Sequence, residues 1–247
     1  MAARMSVTTL DPKRRDAAAA RLPGTRPVIG PWLTRDTAYS TQITEKARLL
    51  AERPDDVLAV TPGAEAACAE ALEAVLAGLA QDPGYSREAG QCQTPDGRCV
   101  LLDGDPLRVI AALVQEDVCI LERRGDEHVL TAALLCFPAS WTLAEKIGHP
   151  LIRIHKPVAE YETGLAQRVQ RLFDGVQEGR PIWRANLLRY RDPSLYQPRR
   201  EGDTRPIAGA EGGWWRSERQ TVLRLPNTQA VMFAIQTCVV PVDQGAD

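Results

Sequence analysis

The sequence is poor in several of the residues on which familiar chemistries depend. Its 247 residues include three histidines, four lysines and three phenylalanines. No two of the six cysteines, Cys68, Cys92, Cys99, Cys119, Cys136 and Cys238, are separated by only two residues, so zinc-ribbon and ferredoxin spacings are absent. There is no G-x-G-x-x-G, no P-loop, no H-E-x-x-H and no nucleophile-elbow serine, which removes the standard signatures of dinucleotide, nucleoside triphosphate, zinc-protease and serine-hydrolase sites. A run of about 18 apolar residues and an N-terminal apolar leader are also missing. Cys119, Cys136 and Cys238 sit in apolar runs, where free cysteine acts as a small core hydrophobe; a reducing, cytoplasmic location is expected. Cys92 and Cys99 lie near the Thr94–Gly97 turn, where plain packing and redox lability both remain open.

Charge of one sign is lacking overall. Thirty basic against 32 acidic residues leave a net charge of −2, which gives no global attraction to nucleic acid or an anionic membrane. The distribution is less even. Between Arg168 and Arg224 twelve arginines stand against seven acids, a local excess of +5 without a single lysine. Arginine offers a planar, permanently charged fork suited to carboxylates and phosphates, although a GC-rich genome would leave the same mark.

What is present is globular: 44% of residues are hydrophobic and 25% charged, ordinary proportions for a folded domain. Residues 1–26 are expected to be a flexible tail, 27–241 one domain, and 242–247 a second tail. Apolar spacing predicts helices over 36–52, with Asp36 as cap, and over 62–80, with Thr61 as cap and Pro62 in the first turn. Residues 89–104 are turn-rich. Val118–Leu121 and Val129–Phe137 predict a hairpin around Arg123–Asp126. Leu151–Ile154 reads as a short apolar strand ended by His155, Lys156 and Pro157, followed by a helix over 161–176. A strand over 182–190, a long loop over 191–213 and a hairpin of 218–225 with 230–240 complete the chain. Helices first, then mostly antiparallel strands, argue for an α+β fold.

Three places carry possible chemistry. His128 falls at a hairpin turn, where a solvated side chain is expected, and His149 precedes Pro150 in a loop. His155 is expected to project from a rigid edge; one imidazole is too little for zinc and enough for an axial haem ligand. Alternation along Trp214–Thr221 puts Arg216, Glu218 and Gln220 on one strand face and Ser217, Arg219 and Thr221 on the other. That strand is either a solvated surface or an anion clamp with a carboxylate for a cation or a proton. Arg184 and Asn186 share a face in Trp183–Asn186, as a buried polar network or a cofactor wall.

The order of several short segments then resembles a known family. Phe137–Pro138–Ala139–Ser140–Trp141, Glu145–Lys146–Ile147–Gly148, Ile154–His155–Lys156–Pro157–Val158, Arg168–Val169, Phe173–Asp174–Gly175, Trp183–Arg184–Ala185–Asn186, Asp192–Pro193, Arg216–Thr221 and Leu225–Pro226 together resemble the haem-dependent oxidative N-demethylases, the DUF3445 family. The likeness runs from about Pro27 to Pro241. It implies a PAS-like fold holding haem b, with iron as the metal. The implied reaction is monooxygenase removal of a methyl group from a small secondary amine such as dimethylamine, giving a primary amine and formaldehyde. Electrons would come from NADPH through the FMN and iron–sulfur units of a partner reductase that this chain does not encode. The family pattern Ile-His-x-Pro-Val falls on His155 as axial ligand, with His149 the second candidate. Arg184, Arg216 and Arg219 are the implied partners of the haem propionates. Glu218 is implied to pair the substrate ammonium or relay protons, supported by Asn186 and Gln220. Ala159 stands where a proline is expected and Cys238 where an aromatic is expected, which marks a divergent member. The alternative is a PAS-like haem sensor or a non-catalytic binding subunit.

Overall fold

Alternating apolar residues, most of them from Asp117 onward, build one large antiparallel sheet, and the helices divide between its two faces. In a computed structural model of the protein, residues 9–20, 24–155, 163–203 and 211–244 are described, with the backbone alone for 155, 163–167 and 244. The first part comprises α1 (Pro12–Ala18), β1 (Arg26–Pro27), α2 (Tyr39–Glu52), α3 (Pro54–Val57), β2 (Leu58–Val60) and α4 (Glu65–Leu79). A small sheet of β3 (Ser86–Glu88), β4 (Gln91–Gln93) and β5 (Cys99–Leu101) precedes α5 (Pro106–Leu113). Then come β6 (Asp117–Arg124), β7 (Glu127–Leu134), α6 (Leu151–His155), α7 (Thr163–Gly175), β8 (Ile182–Tyr190), β9 (Trp214–Arg224) and β10 (Val231–Pro241).

The large sheet runs β1-β8-β9-β10-β6-β7-β2, and its strand pairings are antiparallel. Since side chains alternate along each strand, the sheet has two distinct apolar faces. Val118, Ile120, Ala132, Leu134, Met232 and Ala234 pack beneath α2, α4 and α5. Cys119, Leu121, Ala133, Val222, Val231 and Phe233 pack beneath α6 and α7, against Leu151, Ile154, Phe173 and Val176. The architecture is α+β, as expected, and among the described residues no helix is long and apolar enough to cross a membrane. All six cysteines are free, five of them buried and Cys99 exposed.

Several local expectations are corrected. Leu151–Ile154 is helical, not a strand: a strand would put Leu151 and Arg153 on one face, whereas a helical turn brings Leu151 and Ile154 together onto the apolar cluster, with the Ile154 N–H donating to the Pro150 carbonyl at 3.0 Å. In the segment expected to be a tail, Asp11 caps α1 by accepting the Lys13 N–H, and Arg14 is buried against β10, donating to Gln236 Oε1. The turn-rich stretch holds β4 and β5. Thr61 does not cap α4, whose N-cap is Ala64; the Thr61 hydroxyl donates instead to the Thr131 carbonyl on β7 at 3.0 Å. Asp36 accepts the Ala38 N–H at 2.9 Å just ahead of α2.

Candidate active site on the face of β8 and β9

Strands β8 and β9 pair residue for residue, with Arg184 opposite Gln220, Asn186 opposite Glu218 and Leu188 opposite Arg216. The alternation therefore brings Arg184, Asn186, Arg216, Glu218 and Gln220 onto one face, the one covered by α6 and α7. Glu218 is at the centre and only 6% exposed. Asn186 Nδ2 and Gln220 Nε2 each donate to its Oε2 at 3.0 Å, and Asn186 Oδ1 accepts the Glu218 backbone N–H at 2.8 Å. A buried carboxylate needs such donors, because burial without them is costly.

Arg184 lies beside this clamp, donating to Gln220 Oε1 at 2.8 Å. Burial pulls its guanidinium below the ordinary arginine value, while the charge of Glu218 acts the other way. Arg216 is 2% exposed and faces inward. Its Nη2 donates to the Phe137 carbonyl at 2.7 Å and its Nη1 to the Leu195 carbonyl at 3.0 Å, and the guanidinium lies 5.6 Å from the centre of the Tyr190 ring. Its Nε stands 3.7 Å from Glu218 Oε1. Both arms are thus committed to backbone, tying the segments around 137 and 195 to β9. Those segments also meet directly, with the Ser140 N–H donating to the Gln197 carbonyl at 3.0 Å and Ser140 held at a φ of 67°, a backbone region that non-glycine residues seldom occupy.

Arg219 projects through the opposite face. Its Nη1 donates to the Trp32 carbonyl at 2.5 Å and to Thr221 Oγ1 at 3.0 Å, and its guanidinium sits 5.0 Å from the Trp183 ring centre. Burial lowers its pKa, with Glu116 opposing. The structure separates it from Arg184 and Arg216, beside which the sequence reading groups it.

Of the histidines, His128 departs from its expectation and His149 lies in a loop as expected. His128 is buried, not solvated, at 1% exposure: its Nδ1 lies 2.9 Å from Gln170 Nε2 and 3.7 Å from Asp174 Oδ1, and its ring is 5.7 Å from that of Phe173. Burial drives its pKa down. The hairpin turn predicted exposure because the covering element, α7, comes forty residues later in the chain. His149 is exposed in a turn, its carbonyl accepting the Leu130 N–H at 3.0 Å. His155 is the last residue of α6; its side chain, and all of Lys156, Pro157 and Ala159, lie outside the described residues. The backbone just before it is fixed. Lys146 Nζ donates to the Ile154 carbonyl at 2.8 Å and to Glu201 Oε1 at 2.6 Å. Arg153 adds a bond of 2.9 Å to the same oxygen. Hydrogen bonds from Arg153 and then Lys146 hold the Glu201 carboxyl down to about 2. The last turn of α6 is thereby anchored to Lys146 and Glu201.

Two residues of this face escaped the sequence reading. Tyr190 ends β8 opposite Trp214 and stacks on Arg216. Thr237 lies directly opposite Glu218 on β10. Its signal was available in principle: a hydroxyl at a position flanked on the same strand face by Ile235 and Val239.

Residues 25–247 match a family model described as haem-dependent oxidative N-demethylase, alpha subunit-like.

Proposed function

The chain belongs to the haem-dependent oxidative N-demethylase, alpha subunit-like family, and from that premise we propose that the β8–β9 face holds haem b and a small secondary amine. The reaction would be oxidative demethylation of a dimethylamine-like substrate to a primary amine and formaldehyde. The description of the family as an alpha subunit points to an enzyme of more than one kind of chain; we assign the other the role of a reductase that passes electrons from NADPH through FMN and an iron–sulfur cluster, in the cytoplasm. We read the sheet as PAS-like. Numbered among themselves, the five strands β6 to β10 stand in the order second, first, fifth, fourth, third, with α6 and α7 between the second and third.

The donor set fits the cofactor. Arg184 is a half-buried guanidinium whose direct side-chain partner is a neutral amide, an arrangement completed by an anion such as a propionate. Arg216 has spent its arms on carbonyls, and Arg219 faces the other way, so Arg184 carries that role. His155, at the end of an anchored helix, is the residue that would hold the iron. Haem supplies the oxygen activation that this chemistry requires. The protein supplies binding and orientation.

The observation that carries the reading is the Glu218 carboxylate, buried on a sheet face and held through Oε2 by two neutral amides. The two amides orient the carboxylate, and the Arg216 guanidinium, 3.7 Å from Oε1, offsets part of its charge without hydrogen-bonding to it, which leaves lone pairs able to bind an ammonium and aim an N-methyl group. The test uses protein purified after haem is supplied, with absorption spectra, amine titration and formaldehyde assay in the presence of a competent reductase. Wild-type protein is expected to be coloured, to bind dimethylammonium and to release formaldehyde. Glu218→Gln is expected to keep its haem and lose amine affinity at least about tenfold, the weight of one charge-assisted contact. A colourless wild type, or a Glu218→Gln protein that binds amine as tightly as wild type, would overturn the assignment; haem without turnover would make the chain a sensor.

A further inference from the structure

Among the described residues, the buried polar atoms without a hydrogen-bond partner include Arg216 Nε and Thr237 Oγ1, both on this face. They flank one group. Arg216 and Glu218 are two apart on β9, and Thr237 is the cross-strand partner of Glu218 on β10, so all three side chains leave the sheet together. The relation of Arg216 to Glu218 is unusual for a buried ion pair: Nε and Oε1 are 3.7 Å apart, beyond a hydrogen bond. Arg216 cannot close the gap by rotating, because both Nη atoms are held by the carbonyls of Phe137 and Leu195. Thr237 is 1% exposed, and its carbonyl is already taken by Gln42 Nε2 at 3.0 Å. Its neighbours on this face, Ile235 and Val239, are apolar, so packing alone would be served by valine. A hydroxyl buried without a partner is costly.

The three atoms are complementary to a single small molecule. Arg216 Nε offers a hydrogen, Glu218 Oε1 offers lone pairs, and Thr237 Oγ1 can do either. A polar contact longer than about 3.5 Å between buried groups is where a bridging water belongs, and three polar partners are what a buried water typically has. An ammonium does not fit this niche, since it has no lone pair for Arg216.

We propose that Arg216 Nε, Thr237 Oγ1 and Glu218 Oε1 form a binding site for one water, and that Thr237 is thereby a positioning residue for Glu218. The water accepts from Arg216 and donates to Oε1, while Asn186 and Gln220 hold Oε2. Each carboxylate oxygen then has its own support, and the plane of the group is fixed toward the substrate side. The effect on amine affinity rests on the role given to Glu218 above; the water site itself does not.

The experiment compares haem-loaded wild type, Thr237→Val and Thr237→Ser by crystallography at a resolution that places waters, and by amine titration. Wild type and Thr237→Ser are expected to show one water within hydrogen-bond distance of all three atoms. Thr237→Val, which keeps the shape and loses the hydroxyl, is expected to lack it and to bind dimethylammonium about tenfold more weakly, with unchanged haem content and melting temperature. Thr237→Ser should restore affinity to within about threefold. Absence of the water from wild type overturns the site, and a Thr237→Val protein with wild-type affinity overturns the positioning role. A wild type that holds the water but binds no amine would keep the site and sink the amine role of Glu218 instead.

Discussion

Lys46→Met is the perturbation whose cost follows most directly from the structure. Lys46 on α2 and Asp117 at the start of β6 form an ion pair at 3.0 Å, with side chains 0% and 1% exposed. At an effective dielectric near 20 their attraction is about 5–6 kcal/mol, which largely offsets the hydration both groups give up. Removing the ammonium leaves Asp117 buried beside an apolar thioether chain, and breaking such pairs costs about 3–5 kcal/mol. That is a large share of the roughly 5–15 kcal/mol that holds a domain folded. Burial already pushes the Asp117 carboxyl above its usual range, with Lys46 the leading counterweight, so in Lys46→Met it rises further. The native state then binds more protons than the unfolded chain above the unfolded aspartate value of about 3.9, and stability falls as pH rises through the native value. The deficit of the variant should therefore be largest near neutral pH and shrink toward about pH 4–5. The damage also has a route to the candidate site. Asp117 Oδ2 accepts the Phe137 N–H at 2.6 Å, and the Phe137 carbonyl accepts from Arg216. Urea denaturation across pH measures the cost, and Lys46→Met/Asp117→Asn should recover about half of it. A single variant within about 1 kcal/mol of wild type at neutral pH, with no gain in the double, would refute the reasoning.

Other sites give separate tests. Burial depresses the pKa of His128, so the unfolded chain takes up its proton first as pH falls through about 6.5, and stability is lost below that value; His128→Leu should reduce the slope of unfolding free energy between about pH 7 and 5.5 by up to one proton. Arg14→Ala removes the anchor of α1 to Gln236 and should cost about 1–3 kcal/mol, with faster amide exchange over Pro12–Ala18 read by mass spectrometry. A Cβ at Gly212 would lie 2.7 Å from the Tyr190 carbonyl oxygen, so Gly212→Ala should lower the melting temperature by about 2–12 °C, the equivalent of about 1–3 kcal/mol of overpacking.

The parts of the fold legible in the sequence are those in which local pattern and final environment agree. The β6–β7 hairpin, the helices α2 and α4, and β8 to β10 each carry a period that matches the face they bury. Alternation also sorted Arg216, Glu218 and Gln220 from Arg219 correctly, although the functional grouping then reunited them. What could not be read depends on distant partners. Four apolar-rich residues from Leu151 suit a strand or a helical turn equally, and only the cluster beneath them decides. His128 looks like a turn residue until α7 covers it. Arg216 looks like an anion clamp until the carbonyls of Phe137 and Leu195 claim it. Backbone acceptors from remote loops leave no trace in composition or spacing.

The strand order has a consequence for how the molecule is made. The last strand, β10, sits between β9 and β6, placing Phe233 beside Cys119. During synthesis the β6–β7 hairpin therefore waits with one long apolar border open until β8, β9 and β10 have all left the ribosome. Such distant pairings close slowly, and unpaired borders invite association between chains in the interval. The border of β6 is closed only when β10 has reached it, so chaperone capacity over that interval would govern the yield of folded protein.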